Sequence, residues 1–186
     1  MSAPGESSSL RKLRLDEIER PSLTELESLP RHPIIVVLDN IRSAHNVGSI
    51  LRTSDAARVL HVYLTGITPS PAHRAVTKAS LGAEDSVPWS TQPALLPLLT
   101  QLRSEGMLLL ALEQTTMPTT LDEIVPKHAP VALIVGNEVE GVQQAVLDAC
   151  DAALELPQFG AKHSLNVSVA FGIAAYGLLE RLGLTV

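Results

Sequence analysis

The sequence predicts an α/β fold, a mostly parallel sheet with helices on both faces. Short apolar runs alternate with longer stretches of helical character along nearly the whole chain. Aliphatic side chains are abundant while aromatics are 3% of residues, which suits strands buried on both faces better than a β-sandwich. The last stretch, SLNVSVAFGIAAYGLLERL, is apolar or small on nearly every side until Glu180, as in a helix covered all round.

Residues 1–9 are small, polar and Ser-rich and read as disordered. Residues 10–28 read as one or two short helices broken at Pro21. The α/β pattern begins at Pro33, so the domain is set at 31–186, with 1–30 as an extension. Apolar runs place strands at Ile34–Leu38, Leu60–Leu64, Met107–Leu112, Val131–Val135 and Ala152–Leu156, with a shorter one at Ser86–Trp89. Helices are expected over Val47–Ala57, Ala72–Ala79, Pro93–Ser104, Gln143–Ala149 and Leu165–Arg181. The last helix needs a cover beyond its own sheet. A second copy of the chain is the expected cover, with Ala170, Gly172, Ala174, Ala175 and Gly177 allowing close approach.

Composition narrows the function classes. The lone cysteine, Cys150, rules out an internal disulfide and fits a reducing compartment, the cytoplasm. MSAPGESSSL lacks the features of a secretory leader. The longest apolar run, Val167 to Leu179, is too short to span a bilayer, so no membrane partner is expected. The net charge of −6 disfavours nucleic acid, yet residues 1–90 hold 10 of the 14 Lys and Arg against 10 acids. If RNA binds, this half supplies the phosphate contacts. Arg42, His45, Arg58, Arg74 and Lys78 are candidates for them, each equally readable as a solvated surface residue. The acidic second half leaves room for a partner protein that aids RNA binding.

Ligands of open α/β sheets bind outside the carboxyl ends of the strands. The residues a bare scaffold does not need gather there: DNIRSAHNVGSILRTSD, EQTTMPTT, GNEVEG and PQFGAKHSLNVS each follow a strand. GNEVEG has no Lys-Ser or Lys-Thr after it and is not a P-loop, and no G-x-G-x-x-G follows the first strand. No His/Cys cluster has zinc spacing, so no metal is expected. There is no G-x-S-x-G elbow, and His163 with Ser164 makes a poor hydrolase pair.

Three of these loops resemble the motifs of the SpoU/TrmH family of the SPOUT class of RNA methyltransferases. NVGSILRT from Asn46 to Thr53 is similar to N-x-G-x-x-x-R. IVGNEVEG from Ile134 to Gly141 is similar to a hydrophobic-GNE-x-x-G motif, and LPQFGAKHSLNVSVA from Leu156 to Ala170 to a hydrophobic-Pro loop followed by SLNVSVA. They occur in family order, and the resemblance covers residues 34–180. The stretch from Thr65 to Glu84 also resembles short family members. Gln158 departs from the family, which often has Met there.

The resemblance implies a deep C-terminal trefoil knot, a homodimer that completes the active site, and S-adenosylmethionine as cofactor. It places cofactor contacts at Leu112, Gly136, Leu156, Ser164 and Leu165. It centres catalysis on Asn46 and Arg52, supported by Glu138, Ser164 and Asn166, with a ribose 2′-hydroxyl of tRNA or rRNA as acceptor. Individual residues keep alternative readings. Gly136 either lets backbone approach the cofactor or makes a plain turn. Asn46, Ser164 and Asn166 lie where helices open and each suits a cap as well as a catalytic role. Glu138 either holds Arg52 or Asn46 in place, or favours a helix dipole. A non-catalytic RNA-binding module of the same fold is the alternative function, disfavoured by the intact Asn46, Arg52, Glu138 and Asn166. A base- or protein-directed enzyme is disfavoured by the SLNVS motif.

Overall fold

Strand β1, His32–Asp39, is buried from Ile34 onward because it lies mid-sheet with helices on each side. A computed structural model describes residues 10–184, and the expected disorder of residues 1–9 falls outside them. The other strands are β2 (Val59–Thr65), β3 (Trp89–Gln92), β4 (Leu108–Leu112), β5 (Pro118–Thr119), β6 (Val131–Val135) and β7 (Ala152–Leu154). They form one sheet in the order β3-β2-β1-β6-β4-β7-β5, and every neighbouring pair is parallel.

The pleat sorts the core onto two faces. Ile34, Val36 and Leu38 of β1 join Ile50 and Leu51 of α2 (Ala44–Ala56) and Phe171, Ala174 and Leu178 of α7 (Val167–Arg181). Ile35 and Val37 join Leu98, Leu99 and Leu102 of α5 (Leu95–Ser104) and Val146 of α6 (Gln144–Leu147). Helices therefore cover both faces, as expected. Register fixes the site's position: Val135 pairs with both Leu38 and Leu112, and Leu112 with Leu154. Four strands thus end at one level, and the loops after them leave the sheet side by side.

Local chemistry moved several boundaries. The strand expected at Ser86–Trp89 lies at Trp89–Gln92, after a short helix α4 (Ala83–Ser86). Ser86 is held in that helix by hydrogen bonds to Asp55 and the Ala83 carbonyl, and pairing starts at the Pro88 carbonyl, which accepts from Val62 N at 2.9 Å. Helix α3 covers Arg74–Ser80, opened by the His73 ring and closed by Leu81 with φ +54°. Helix α7 begins at Val167 because Asn166, not Ser164, caps it. Ahead of β1, a single turn at Leu15–Glu17 and α1 (Leu23–Ser28) follow the expected pattern, with Ser22 and Glu25 closing a capping box.

Helix α7 buries Phe171, Ala174, Ala175, Leu178 and Leu179, while Val169, Ile173 and Tyr176 stay about half exposed. Three of the five small residues pack within this chain: Ala174 and Ala175 lie in its own core, and a Cβ on Gly177 would come within 2.5 Å of Leu121, while Ala170 and Gly172 are only partly buried. No helix among the described residues is long and apolar enough to cross a membrane.

Gly48, in the first motif, seats α3 against α2. A Cβ there would lie 2.5 Å from both the Ala79 Cβ and the Val76 carbonyl oxygen. Because backbone cannot swing aside like a side-chain tip, Gly48→Ala is expected to destabilise the fold by about 1–3 kcal/mol. Urea denaturation measures this, and an unchanged midpoint would contradict the close packing.

Candidate functional site

The GNEVEG segment folds into a tight hairpin at the end of β6. Asn137 and Gly141 exchange backbone hydrogen bonds of 3.1 and 2.9 Å, and the Asn137 side-chain oxygen accepts from Val139 N and Glu140 N. Gly141 has φ +69°, a conformation that glycine adopts freely. A Cβ on Gly136 would meet the Gly141 carbonyl at 2.5 Å, so this glycine is required by the hairpin itself. The Asn137 amide also donates to the Asn40 carbonyl at 2.8 Å, which ties the hairpin to the loop after β1.

The hairpin aims Glu138 at the start of α2. Its carboxylate accepts from Arg42 N at 2.9 Å, Ser43 N at 3.0 Å and the Asn46 Nδ2 at 2.9 Å. Burial, the largest single influence, pushes this carboxyl up. The hydrogen bonds from the Arg42 backbone, the Asn46 amide and the Ser43 backbone together outweigh it and hold the carboxyl below its ordinary value. Glu138 is therefore a carboxylate at neutral pH and can only accept.

That fixes the Asn46 amide. Its nitrogen faces Glu138, so its oxygen faces away and accepts from the Asn166 Nδ2 at 3.2 Å. The Asn166 oxygen is thereby turned to cap α7, accepting from Ser168 N at 2.9 Å and Ser168 Oγ at 2.6 Å. One hydrogen-bonded chain thus links a residue from each of the three motifs. Asn46 is not the cap of α2, since Ser43 is, with its hydroxyl accepting from Asn46 N at 3.3 Å. Asn166 is a cap and also a member of the chain. Of the two residues Glu138 was expected to hold, it holds Asn46 and makes no hydrogen bond or ion pair with Arg52.

Beside this chain opens a cleft of about 650 Å³, walled by the loops after β4, β6 and β7 and the start of α7. All five residues expected at a cofactor, Leu112, Gly136, Leu156, Ser164 and Leu165, line it, as do Glu138 and Asn166. Asn46 joins through its hydrogen bonds. Arg52 is exposed on α2, makes no hydrogen bond or ion pair among the described residues, and does not line the cleft. Six residues along a helix are an advance of about 9 Å and leave the side chains about a third of a turn apart in direction, so Asn46 and Arg52 of one chain face different ways.

Sequence reasoning missed Glu113. One of its oxygens accepts from Val142 N at 2.8 Å and the other from Gln114 N at 2.9 Å, bracing the hairpin from the β4 side. Its signal was available: a carboxylate directly follows an all-apolar strand at the carboxyl edge. Arg58 departs from its candidacy for phosphate, because its guanidinium donates to the carbonyls of Leu29 and Pro30, both at 2.9 Å. Arg42, His45, Arg74 and Lys78 are exposed. The Cys150 thiol is pushed up to about 11 by burial and by Asp151, so it is not a nucleophile at neutral pH. No group of three or more His, Cys, Asp or Glu that could hold a metal occurs among the described residues.

Known proteins are similar in sequence and fold. A family model described as the SpoU rRNA Methylase family matches residues 33–176. A 23S rRNA (guanosine-2′-O-)-methyltransferase RlmB of Neisseria meningitidis serogroup B is 31% identical over 148 residues, 80% of this chain and 58% of that protein. The RlmB of Ralstonia nicotianae is 31% identical over 170 residues, 88% of this chain and 62% of that protein. The chain thus spans about three fifths of the length of these curated relatives. Among solved structures, a TrmH/SpoU tRNA modifying enzyme of A. aeolicus superposes with a TM-score of 0.76 at 28% identity, covering 87% of this chain and 83% of that one. An AdoMet-bound rRNA methyltransferase from Sinorhizobium meliloti gives 0.74 at 27% identity, covering 88% of this chain and 62% of that one. With the matched residues taking in all three motifs and the sheet that carries them, the chain belongs to the SpoU rRNA methylase family.

Proposed function

We propose that this chain transfers the methyl group of S-adenosylmethionine to a ribose 2′-hydroxyl of tRNA or ribosomal RNA, in the cytoplasm. The observation that carries this reading is the Glu138–Asn46–Asn166 chain set against a cleft at the carboxyl edge of the sheet. The cleft fits the cofactor. Its volume lies within the roughly 300–1,000 Å³ usual for small-molecule sites. Leu112, Val135, Leu154 and Leu156 offer apolar walls for a ring, with Gln114, Asn137 and Ser164 polar at the edges. When bound, the cofactor supplies a methyl group on a sulfonium, open to in-line displacement.

The chain's own residues bind, orient and adjust charge. A ribose hydroxyl is a weak nucleophile, so its developing negative charge needs a donor close by. Arg52 is that donor. Its guanidinium stays charged, so it clamps the neighbouring phosphate and stabilises the alkoxide rather than acting as base, and the proton passes to phosphate or water. Asn46, Asn166 and Ser164 present polar groups at the cleft side, with the first two held in one orientation by the Glu138 carboxylate.

Because Arg52 does not line the cleft of its own chain, we infer that a second copy supplies it. The support is the face of α7 formed by Val169, Ile173 and Tyr176, spaced as neighbours along one side of a helix and about half exposed. Pairing these faces in a homodimer would carry Arg52 of one copy to the cleft of the other. Ile173→Glu is expected to give monomers by sedimentation and to lose methyl transfer, since a buried unpaired charge opposes pairing. A dimer that persists in this variant would place the interface elsewhere. We also propose that the C-terminal half closes a trefoil knot whose loops are the GNEVEG hairpin and the segment from Leu156 to Asn166, as the membership in this family supports. The domain is 31–186, with 1–30 an extension; a further protein is a candidate aid to RNA binding.

The test is transfer of labelled methyl from S-adenosylmethionine to unmodified tRNA and rRNA. Label in RNA supports the reading. Cofactor binding with no transfer to either RNA would favour the non-catalytic RNA-binding module.

A further inference from the structure

Phe159 has no packing role in the chain. It is 95% exposed, whereas the other phenylalanine, Phe171, is fully buried. An aromatic ring left in water forgoes the gain of burial, and its whole surface stays free for a ligand. Phe159 lies in the loop between β7 and α7, and the residues flanking it on this loop, Gln158 and His163, both wall the cleft while Phe159 does not. The His163 carbonyl is pinned by Gln114 Nε2 at 2.8 Å, which anchors the far end of the loop to the segment after β4. The ring thus stands on the rim, outside the cavity itself. A Cβ built on the adjacent Gly160 would meet nothing within 4 Å apart from its chain neighbours, so the loop beside Phe159 borders open space. Lys162 and His163, three and four residues further along the loop, are exposed as well.

A flat apolar ring with a cation on the same loop, at the mouth of a cleft, is the arrangement that takes an unpaired base by its face and the adjoining phosphate by its charge. We propose that Phe159 is a stacking platform for a nucleobase of the RNA substrate, beside the ribose presented at the cleft; this rests on the methyltransferase reading above. An apolar interface with a second copy suits the location less well, because the ring is set among Gly160, Lys162 and His163 rather than among other apolar side chains. Stacking on a π-face tolerates any base, so Phe159 supplies affinity for single-stranded or splayed-out RNA and leaves base identity to other contacts.

The experiment compares the full chain with Phe159→Ala and Phe159→Trp, measuring RNA turnover, RNA binding, cofactor affinity, melting temperature and sedimentation. Phe159→Ala is expected to raise KM for RNA by about tenfold or more. Melting temperature, cofactor affinity and oligomeric state should stay unchanged, and Phe159→Trp should restore KM. An unchanged KM in Phe159→Ala overturns the proposal. A loss of cofactor affinity would assign the ring to the cofactor, and a change in sedimentation would assign it to a second copy; either overturns it too. RNA binding is measured separately from turnover. A wild-type chain that binds RNA without methylating it therefore contradicts the methyltransferase reading, while the binding of Phe159→Ala still decides the stacking.

Discussion

Replacing Arg52 with alanine is expected to lower methyl transfer on the order of a hundredfold or more, the usual cost of removing a donor aimed at developing oxyanion charge. Cofactor affinity should change little, because the role proposed for Arg52 is on the acceptor phosphate and hydroxyl and the residues that wall the cofactor cleft are others. Melting temperature should not fall, because the side chain is exposed and makes no hydrogen bond or ion pair among the described residues. Arg52→Lys keeps the charge but loses the planar fork that grips a phosphate, so it should recover only part of the rate. Single-turnover assays at saturating cofactor separate these outcomes. Full activity in Arg52→Ala would remove this residue from the account. Mixing Arg52→Ala with Asn46→Ala adds a test of the dimer. If the two residues act across the interface, mixed dimers keep one intact site and regain activity.

Glu138→Ala should have the second largest effect and, unlike Arg52→Ala, should act on stability and activity together. It leaves Arg42 N, Ser43 N and the Asn46 amide without their charged acceptor. Hydrogen bonds to a charged group are the stronger kind, and the loss should cost about 2 kcal/mol or more. The Asn46 amide would then be free to turn over, which releases Asn166 from its orientation. Misplacement of groups at a site on this scale lowers rates by on the order of a hundredfold. Glu138→Gln separates charge from shape, since it keeps the length but presents an amide to donors that need an acceptor. The pH dependence follows from the lowered carboxyl. As pH falls, the unfolded chain takes up the proton before the folded one does. The contribution of Glu138 is therefore full at neutral pH and is lost as pH drops through the folded-state value, below the ordinary carboxylate range. Urea titrations of wild type and Glu138→Gln across this window should converge at the acid end. Parallel curves would deny the carboxylate its role.

The long apolar runs were legible because a strand buried on both faces has no room for polar residues. That is why β1, β2, β4 and β6 appear within a residue or two of their expected places. The two-residue strand β5 was not legible, since Pro118–Thr119 pairs only at the sheet edge and no periodicity marks so short a segment. The role of Asn46 also escaped local reading. A helix-opening asparagine suggests a cap, but Ser43 already fills that position, and the hydrogen-bond partners of the Asn46 side chain lie 92 and 120 residues away in sequence. Arg58 looked like a surface cation for the same reason, until folding brought the carbonyls of Leu29 and Pro30 to it. The cleft residues were reachable from the motifs. Glu113 was reachable only from the rule that polar residues at the carboxyl ends of parallel strands face a ligand crevice.

The central claim concerns the atom that receives the methyl group. The most direct measurement is alkaline hydrolysis of RNA labelled by this chain with methyl-labelled S-adenosylmethionine. Alkali cleaves through the free 2′-hydroxyl, so a methyl on that oxygen blocks cleavage at its own nucleotide. Transfer to the ribose 2′-hydroxyl predicts label in alkali-resistant dinucleotides. Label in ordinary mononucleotides would place the methyl on a base and contradict the account.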